Sequence, residues 1–325
     1  MTGGAGYIGS YAVLALRDAG HRVVVLDDLS TGDAAAVPDD VRLVRGCVGD
    51  GELVGEVLEG FRIDAVLHLA ARTLVPESMR DPVRYYLNNT ANSLLLLDAC
   101  LRAGVRRVVF SSTSAIYGEV GADPVTEEAV PAPVSPYGAS KLMVERALAD
   151  IGRATGLAYV ALRYFNVAGA DPAGRIGQRT AGPHLVKAAC EAALGRRPHL
   201  DVFGRDYPTP DGTCVRDFIH VGDLVDAHLL ALDHLFAGGG SLVLNCGYGR
   251  GYSVLDVVRA VERVTGARLP VLDAPRRPGD AAIVVADPSR LRAEFGWRPR
   301  LDDLDAIVAS TLAWEARRAV VPAAP

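Results

Sequence analysis

The chain has 325 residues, half of them apolar, and a formal net charge of −5. That much apolar sequence supports a large core, which we expect to be divided between two lobes. The slightly negative charge provides no field that would attract nucleic acid or an anionic membrane, and no apolar run approaches the ~18 residues of a membrane span, so neither partner is expected. The five cysteines form no Cys-x-x-Cys pair, and no His, Asp or Glu cluster has metal-ligand spacing. This pattern favours free thiols in a cytoplasmic protein without a metal site.

Apolar periodicity predicts alternating helices and strands over the first half of the chain. The predicted strands are His21–Asp27, Val41–Val48, Asp64–Ala71, Arg107–Thr113 and Ala158–Phe165. The predicted helices are Tyr7–Asp18, Glu52–Leu58, Val83–Ala103 and Tyr137–Thr155. Strands that are apolar throughout and separated by helices are typical of an α/β fold with a doubly wound parallel sheet, the Rossmann arrangement.

The second half of the chain is less regular. Helices are predicted at Val221–Phe236 and Ser253–Thr265, and a strand at Leu242–Cys246, between stretches rich in Gly and Pro. We therefore expect residues 1–168 plus about 217–246 to form a nucleotide-binding domain, and residues 169–216 plus 247–325 to form a smaller substrate-binding lobe.

A glycine-rich turn opens the chain. Gly3, Gly6 and Gly9 precede the first helix, and their lack of side chains would let a pyrophosphate approach the helix N-terminus. Asp27 ends the next strand, where an acidic side chain accepts the hydroxyls of an adenosine ribose. Asp27 and Asp28 together would repel a ribose 2′-phosphate, so NAD is favoured over NADP. The alternative is an ordinary turn followed by a surface acid.

A tyrosine and a lysine lie four residues apart on one predicted helix face, at Tyr137 and Lys141. A nearby ammonium favours a phenolate, and an oxidised nicotinamide would add to that effect, so Tyr137 is the candidate general base. Lysine is scarce here: Lys141 and Lys187 are the only two among 34 basic residues. A lysine at 141 is therefore hard to explain as a generic surface charge.

Other candidate residues are polar groups at strand ends and in loops. Ser111 and Thr113 end a buried strand, and Thr113 is placed to hydrogen-bond the substrate oxygen that Tyr137 deprotonates; a simple strand cap is the alternative for Ser111. Arg216 and Arg277 are candidates for binding a diphosphate, although each in isolation is more readily explained as a surface ion-pair partner.

With these residues the chain resembles the extended short-chain dehydrogenase/reductase family, and within it the UDP-glucose 4-epimerases. The resemblance rests on Thr2–Ser10, Ser135–Glu145, Leu162–Asn166 and Asp206–His220, and it runs from Thr2 to about Arg317. It implies that NAD is bound by Gly3, Gly6, Tyr7, Ile8, Gly9, Asp27, Asp28, Cys47, Val48, Leu69, Ala70, Ala71, Asn88, Ser111, Tyr137, Lys141 and Tyr164. It also implies that a UDP-sugar is bound by Thr113, Asn166, His184, Leu185, Phe203, Arg216, Phe218, Arg277, Asp280 and Val284.

The resemblance also implies a reaction and an assembly. Related dehydratases carry an Asp-Glu pair directly after the threonine, whereas Ser114 and Ala115 follow Thr113 here, which favours epimerisation over elimination. The implied reaction interconverts UDP-galactose and UDP-glucose through a 4-keto sugar. By analogy with the family, a homodimer would form through helices 83–103 and 137–155.

Three departures from the family pattern leave alternatives open. Gly46-Cys47 stands where a Gly-Asp pair contacts adenine, and Val284 stands at the position that gates sugar size. The apolar strand that normally precedes the glycine-rich turn is absent, so we expect that the natural chain starts upstream and that Met1 cannot replace that strand. The alternatives are a 4-epimerase acting on another UDP-sugar, such as a pentose or an N-acetylhexosamine, and a catalytically impaired NAD-binding sensor or scaffold.

Overall fold

A computed structural model describes residues 1–121, 123–179, 184–277 and 280–318. Its strands are β1 Val24–Asp27, β2 Arg42–Arg45, β3 Val66–His68, β4 Arg107–Ser111, β5 Ala158–Tyr164, β6 Asn166–Ala168, β7 Leu200–Phe203, β8 Val215–His220, β9 Leu242–Cys246, β10 Gly251–Ser253, β11 Val271–Ala274 and β12 Ile283–Val284. Its α-helices are α1 Tyr7–Asp18, α2 Gly51–Gly60, α3 Val75–Arg80, α4 Pro82–Tyr85, α5 Asn92–Arg102, α6 Pro136–Thr155, α7 Leu185–Ala193, α8 Val221–Phe236, α9 Val254–Thr265, α10 Ser289–Phe295 and α11 Leu304–Arg318.

The main sheet is parallel and carries helices on both faces, so the predicted doubly wound α/β fold is confirmed. β1 pairs with β2, and β3, β4, β5 and β9 follow one another in a second parallel group. Helices α1 and α8 pack on one face, and α2, α5 and α6 pack on the other. A sheet covered on both faces needs strands that are apolar throughout, as in β4, where Val108, Val109 and Phe110 are all buried.

The first three residues join the two groups of strands. Thr2 forms parallel bridges with Leu26 of β1 and with His68 of β3. Gly3 donates to the Leu26 carbonyl at 3.0 Å, and Leu69 donates to the Thr2 carbonyl at 3.1 Å. Thr2 therefore pairs with both groups of strands, and the expectation that Met1 cannot replace the central strand stays a prediction.

A smaller set of strands follows the main sheet. β8 pairs with β6, β10 and β12, and β7 pairs with β11. The β8–β12 pairing aligns Val284 with Arg216, which brings two distant stretches of sequence side by side. Buried Trp297 donates its indole N–H to the Asp223 carbonyl at 3.0 Å and so ties this part to helix α8.

The predicted boundaries were least accurate where backbone geometry changes. Helix α1, helix α8 and strand β9 begin and end at the predicted residues. The predicted helix Val83–Ala103 is instead α4, a π-helical segment at Tyr86–Ala91, and α5. Across the described ranges, no helix combines the length and apolar character needed to cross a membrane.

Candidate functional site: a nucleotide and sugar site at the carboxyl edge of the sheet

The glycine-rich turn leaves no room for side chains. Gly3 has a φ of 72°, and a Cβ added to it would lie 2.6 Å from the Ala70 nitrogen. A Cβ on Gly9 would lie 2.0 Å from the Gly3 carbonyl oxygen. Within the described helix α1, the first turn has no acidic side chain and the N-cap Gly6 has no side-chain hydrogen bond. The exposed N–H groups at this helix end therefore suit a phosphate group.

Asp27 ties the end of β1 to the glycine-rich turn. One carboxylate oxygen accepts the Ala5 N–H at 2.9 Å, and the other accepts the Leu29 N–H at 2.9 Å. Burial raises the pKa of Asp27, and these two backbone hydrogen bonds oppose the increase. The more exposed Asp28 accepts both the N–H and the hydroxyl of Ser30. The two predicted ribose-binding acids thus lie beside the turn, on one rigid loop.

The other residues expected to bind the cofactor lie close to the carboxyl ends of successive strands. Val48 is buried after β2, and exposed Cys47 has its sulfur 3.4 Å from the Asn92 amide nitrogen. Leu69, Ala70 and Ala71 follow β3, Ser111 ends β4 and Tyr164 ends β5, whereas Asn88 lies in the π-helical segment. In an open α/β sheet this edge is where ligands bind, and with the cramped glycine turn these positions fit a dinucleotide.

Tyr137, Lys141 and Thr113 converge at the same edge. Ser135 caps helix α6 by accepting the Gly138 N–H at 3.2 Å, which fixes the turn that carries Tyr137. The Tyr137 hydroxyl hydrogen-bonds Thr113, and both side chains are buried. The Lys141 ammonium donates to the Ser111 carbonyl at 2.8 Å and lies 4.8 Å from the centre of the Phe110 ring.

The charge balance around Tyr137 differs from the sequence-based expectation. Burial raises the pKa of Tyr137, and the hydrogen bond from Thr113 only partly offsets it. Burial also lowers the pKa of Lys141 to about 7, against the attraction of Glu145. The Lys141 ammonium is engaged by the Ser111 carbonyl, and the causes that set the pKa of Tyr137 are burial and Thr113. A positive charge beside the phenol, such as that of an oxidised nicotinamide, would favour the phenolate.

Sequence reasoning missed a buried ion pair behind these residues. Arg163 on β5 donates to Glu145 on α6 at 3.1, 3.2 and 2.6 Å, and both side chains are less than a tenth exposed. Glu145 also accepts the Ser112 hydroxyl, and Arg163 donates to the Tyr117 hydroxyl at 2.9 Å. The pair therefore fixes the strand end on which Ser111 and Thr113 lie. An arginine in an apolar strand was the signal that could have revealed it.

A cavity of about 250 Å³ is lined by Tyr7 of the glycine-rich turn and by residues of the smaller lobe. Arg277 stacks over Phe203, with its guanidinium carbon 3.7 Å from the ring centre, and Arg216 lies 3.8 Å from Asp280. Its lining includes these predicted substrate residues: Asn166, His184, Leu185, Phe203, Arg216, Phe218, Arg277 and Asp280. Two guanidinium groups at one end suit a diphosphate, and an aromatic face suits a planar base.

Two predicted substrate residues, Thr113 and Val284, are not among the described residues that line this cavity. Thr113 lies with Tyr137, and Val284 packs beside the cluster that contains Ile116, Tyr117 and Phe165. Lys187, the second lysine, lines the far end of the cavity and pairs with buried Glu315. That ion pair is structural, unlike the contacts of Lys141.

Comparison with known proteins identifies the family. Residues 1–247 match the NAD dependent epimerase/dehydratase family. The chain is 58% identical to a UDP-glucose 4-epimerase of Azospirillum brasilense, over 97% of this chain and 91% of that protein. It superposes with a TM-score of 0.94 on a UDP-glucose-4-epimerase from Stenotrophomonas maltophila with bound NAD and formylated UDP-arabinopyranose. The two chains are 41% identical, and the match covers 98% of this chain and 97% of the other. A UDP-Glc/GlcNAc 4-epimerase from Campylobacter jejuni matches with a TM-score of 0.85 and 43% identity over 97% of this chain and 98% of that one. The chain belongs to the NAD dependent epimerase/dehydratase family, and its near full-length likeness is to the UDP-glucose 4-epimerases of that family.

Proposed function

We propose that the chain interconverts UDP-galactose and UDP-glucose by inverting carbon 4 of the sugar with a bound NAD. One observation carries the proposal. Tyr7 of the glycine-rich turn and Asn166, just after β5, line the same cavity as Arg216 and Arg277. A cofactor held at the turn and a sugar nucleotide held in the cavity would therefore meet at the sheet edge that also carries Tyr137 and Thr113.

In this proposal each group has a defined task. NAD is held by the glycine-rich turn and the acids at the end of β1, and when bound it supplies a hydride acceptor and a positive charge. Tyr137 accepts the proton from the sugar O4, and Thr113 orients that oxygen through a hydrogen bond. Lys141 anchors helix α6 to the Ser111 carbonyl. Arg216 and Arg277 hold the diphosphate while the sugar turns over.

The short turn after Thr113 favours epimerisation over loss of water. Thr113 accepts the Ala115 N–H at 3.2 Å and so caps the 3₁₀ turn Ser114–Ile116. Elimination needs an acid and a base beside the sugar, and Ser114 and Ala115 provide neither. The C4 ketone therefore takes the hydride back on its other face and becomes a hydroxyl of inverted configuration, and no hydroxyl is lost.

The proposal is tested by incubating the purified protein with UDP-galactose and measuring UDP-glucose without added NAD. Repeating the reaction in heavy water separates two routes to inversion. Because hydride leaves and returns within one site, no solvent deuterium is expected at C4. Deuterium at C4 would indicate proton abstraction from carbon instead. Tight NAD binding without any turnover would favour the alternative of an NAD-binding sensor.

One residue, Val284, supports activity on a second UDP-sugar. Val284 is partly buried beside Tyr117, and valine leaves more space there than a tyrosine would. The dual name of the Campylobacter jejuni relative is consistent with a site of this kind accepting an N-acetylated sugar. We therefore infer that UDP-N-acetylgalactosamine is a slower second substrate. Competition between the two sugars in one assay measures the preference.

We also infer a homodimer, because helices α4, α5 and α6 and the π-helical segment between α4 and α5 carry apolar side chains that face solvent. Val83 is 65% exposed, Leu87 59%, Leu95 46% and Met143 45%. Exposed apolar side chains grouped on neighbouring helices are typical of protein interfaces. Light scattering should give twice the chain mass, and Leu87→Glu should give the mass of one chain. Phe61→Glu, at an exposed apolar residue beyond helix α2, is the matched control and should leave the mass unchanged.

The domain division and the cellular location remain our inferences. The sheet pairing supports a nucleotide domain of residues 1–168 plus about 217–246, since β9 completes the parallel sheet. A reducing cytoplasm suits the cysteines, of which Cys100, Cys190, Cys214 and Cys246 are buried free thiols.

A further inference from the structure

Residues 169–179, which we call the strap, follow strand β6 and lie against the nucleotide-binding part of the chain. At one end of the strap, the Tyr7 hydroxyl donates to the Gly169 carbonyl at 2.5 Å. At the other end, the Arg179 guanidinium donates to the Asp33 carboxylate at 2.9 Å. The strap is therefore joined to the nucleotide-binding part at two separate points.

Asp33 lies next to the acid that is proposed to bind the adenosine ribose. Its N–H donates to the Ala5 carbonyl of the glycine-rich turn at 3.0 Å. A Cβ on the preceding Gly32 would lie 2.8 Å from the Ala5 side chain and 3.0 Å from an Asp27 carboxylate oxygen. Tyr7 lies in the first turn of α1, where backbone N–H groups suit a phosphate. The two ends of the strap are thus tied to the adenosine side and to the phosphate side of one dinucleotide site.

The other side of the strap packs on helix α11 of the smaller lobe. Trp314 of that helix donates its indole N–H to the Gln178 carbonyl at 3.3 Å, and a Cβ on Gly177 would lie 2.5 Å from its ring. The Arg179 guanidinium lies 5.7 Å from the centre of the same ring. Gly169 and Gln178 also line the substrate cavity. Helix α11 therefore holds the strap along the edge of the cavity and supports Arg179 from behind.

A second ion pair of the same kind lies in the middle of the strap. Arg175 donates to Asp171 within the strap at 2.7 Å and to Asp18 at the end of α1 at 3.1 Å. The side chains of Arg175 and Asp18 are 46% and 47% exposed, and those of Arg179 and Asp33 are 32% and 43% exposed. Ion pairs with this exposure are weak and are screened by salt. The strap can therefore lift from the nucleotide-binding part at little cost.

We propose that the strap is a latch on the cofactor, in which the Arg179–Asp33 pair closes the adenosine half of the NAD site and sets the rate at which NAD is released. The inference rests on the proposed binding of NAD at the glycine-rich turn. A reaction that reduces and reoxidises one NAD in each turnover needs the cofactor to stay bound, because release between the two hydride transfers would leave a 4-keto sugar behind. Arg179 and Asp33 are positioning residues in this role, since they act on the retention of NAD and not on the reacting atoms.

Exchange of bound NAD for labelled NAD, measured without any sugar nucleotide, tests the latch. Arg179→Gln removes the charge and should exchange NAD about two- to fivefold faster than the wild type, the range that one exposed ion pair supports. Arg263→Gln is the matched control, because Arg263 forms a partly exposed pair with Asp305 between helices α9 and α11 of the smaller lobe. That variant also loses an ion pair and should exchange NAD at the wild-type rate.

Two further measurements distinguish a latch from a general loss of structure. Asp33→Asn removes the charge but keeps an oxygen that accepts the Ala35 N–H, so the local turn is preserved. Arg179→Gln and Asp33→Asn break the same pair, so their effects on the exchange rate should not add in the double variant. Raising the salt concentration should speed exchange more in the wild type than in Arg179→Gln, because only the wild type has this pair to screen.

The outcomes separate the latch from the proposed function. Equal exchange rates in the wild type and Arg179→Gln, or additive effects in the double variant, would overturn the latch and leave the proposed function intact. Equal acceleration by Arg263→Gln would also contradict the latch, because it would assign the effect to loosening of the smaller lobe. A wild-type protein that neither contains NAD nor takes it up would overturn the proposed function, and the latch with it.

Discussion

The buried ion pair between Glu145 and Arg163 leads to a measurable prediction for Glu145→Gln. Glutamine keeps the shape of the side chain but removes the charge that neutralises Arg163. The pair is almost fully buried, with side-chain exposures of 6% for Glu145 and 8% for Arg163. Removing one partner of a buried pair costs about 3–5 kcal/mol, because the other charge is left uncompensated. An unfolding entropy of about 2.1 cal/mol/K per residue gives about 0.7 kcal/mol/K for this chain, so the melting temperature should fall by about 4–7 °C.

The same helix offers a matched control for thermal melting. Asp150 pairs with Arg153, and their side chains are 71% and 77% exposed. An exposed pair contributes at most about 1 kcal/mol, so Asp150→Asn should shift the melting temperature by about 1.5 °C or less. If the two variants melt within 1 °C of each other, the Glu145–Arg163 pair does not stabilise the strand end as argued.

The pH profile of Glu145→Gln tests the link to catalysis. Burial lowers the pKa of Lys141 to about 7, and the nearby Glu145 carboxylate partly opposes that decrease. Without that carboxylate, Lys141 loses its proton at lower pH, and the alkaline limb of kcat/KM should move to lower pH. If the variant has a lower melting temperature but an unchanged alkaline limb of kcat/KM, the role of Glu145 is purely structural.

Three further predictions concern the site itself. Tyr137→Phe should leave folding and NAD binding unchanged but lower turnover at least a hundredfold, since general-base assistance contributes about 10²–10⁴ in rate; near-normal turnover would exclude Tyr137 as the base. Val284→Tyr should abolish activity on UDP-N-acetylgalactosamine and spare UDP-galactose, and an equal change in kcat/KM for both would show that residue 284 does not gate. Arg277→Leu should raise the KM for UDP-galactose by roughly 10–100-fold, because charged hydrogen bonds worth about 1.5–3 kcal/mol are lost. Arg276→Leu is the control and should leave the KM unchanged, because Arg276 pairs with exposed Asp206 and stacks on Tyr207. Equal effects of the two substitutions would place the diphosphate elsewhere.

The helices could be predicted accurately from the sequence where apolar periodicity and a capping residue indicate the same boundary. Helix α1 and helix α8 begin at their predicted residues because a glycine turn and a His220 cap precede them. The region 83–103 was predicted as one helix, because apolar spacing cannot show the wider turn of the π-helical segment. Asn89 in that segment is buried and donates to the Ser140 hydroxyl at 3.1 Å, a role that the sequence did not reveal.

The residues of the candidate site could be proposed from the sequence, but the pKa values of their side chains could not. The spacing of Tyr137 and Lys141 and their position on one helix follow from the sequence alone. The direction of the Tyr137 pKa does not, since burial depends on residues far away along the chain. The pairing of Glu145 with Arg163 could not be predicted either, because Glu145 lies on helix α6 and Arg163 lies on the next strand, β5.

The alignment of Val284 with Arg216 in the β8–β12 pair limits how this protein can be redesigned. Each strand presents alternate residues to opposite faces, so a one-residue slip of either strand would turn its own side chain, Val284 or Arg216, to the other face and break the alignment. On the proposed roles, shortening residues 205–214 would therefore weaken diphosphate binding through Arg216. A point substitution at Val284 leaves the register of both strands unchanged, which makes it the cleaner way to alter sugar choice.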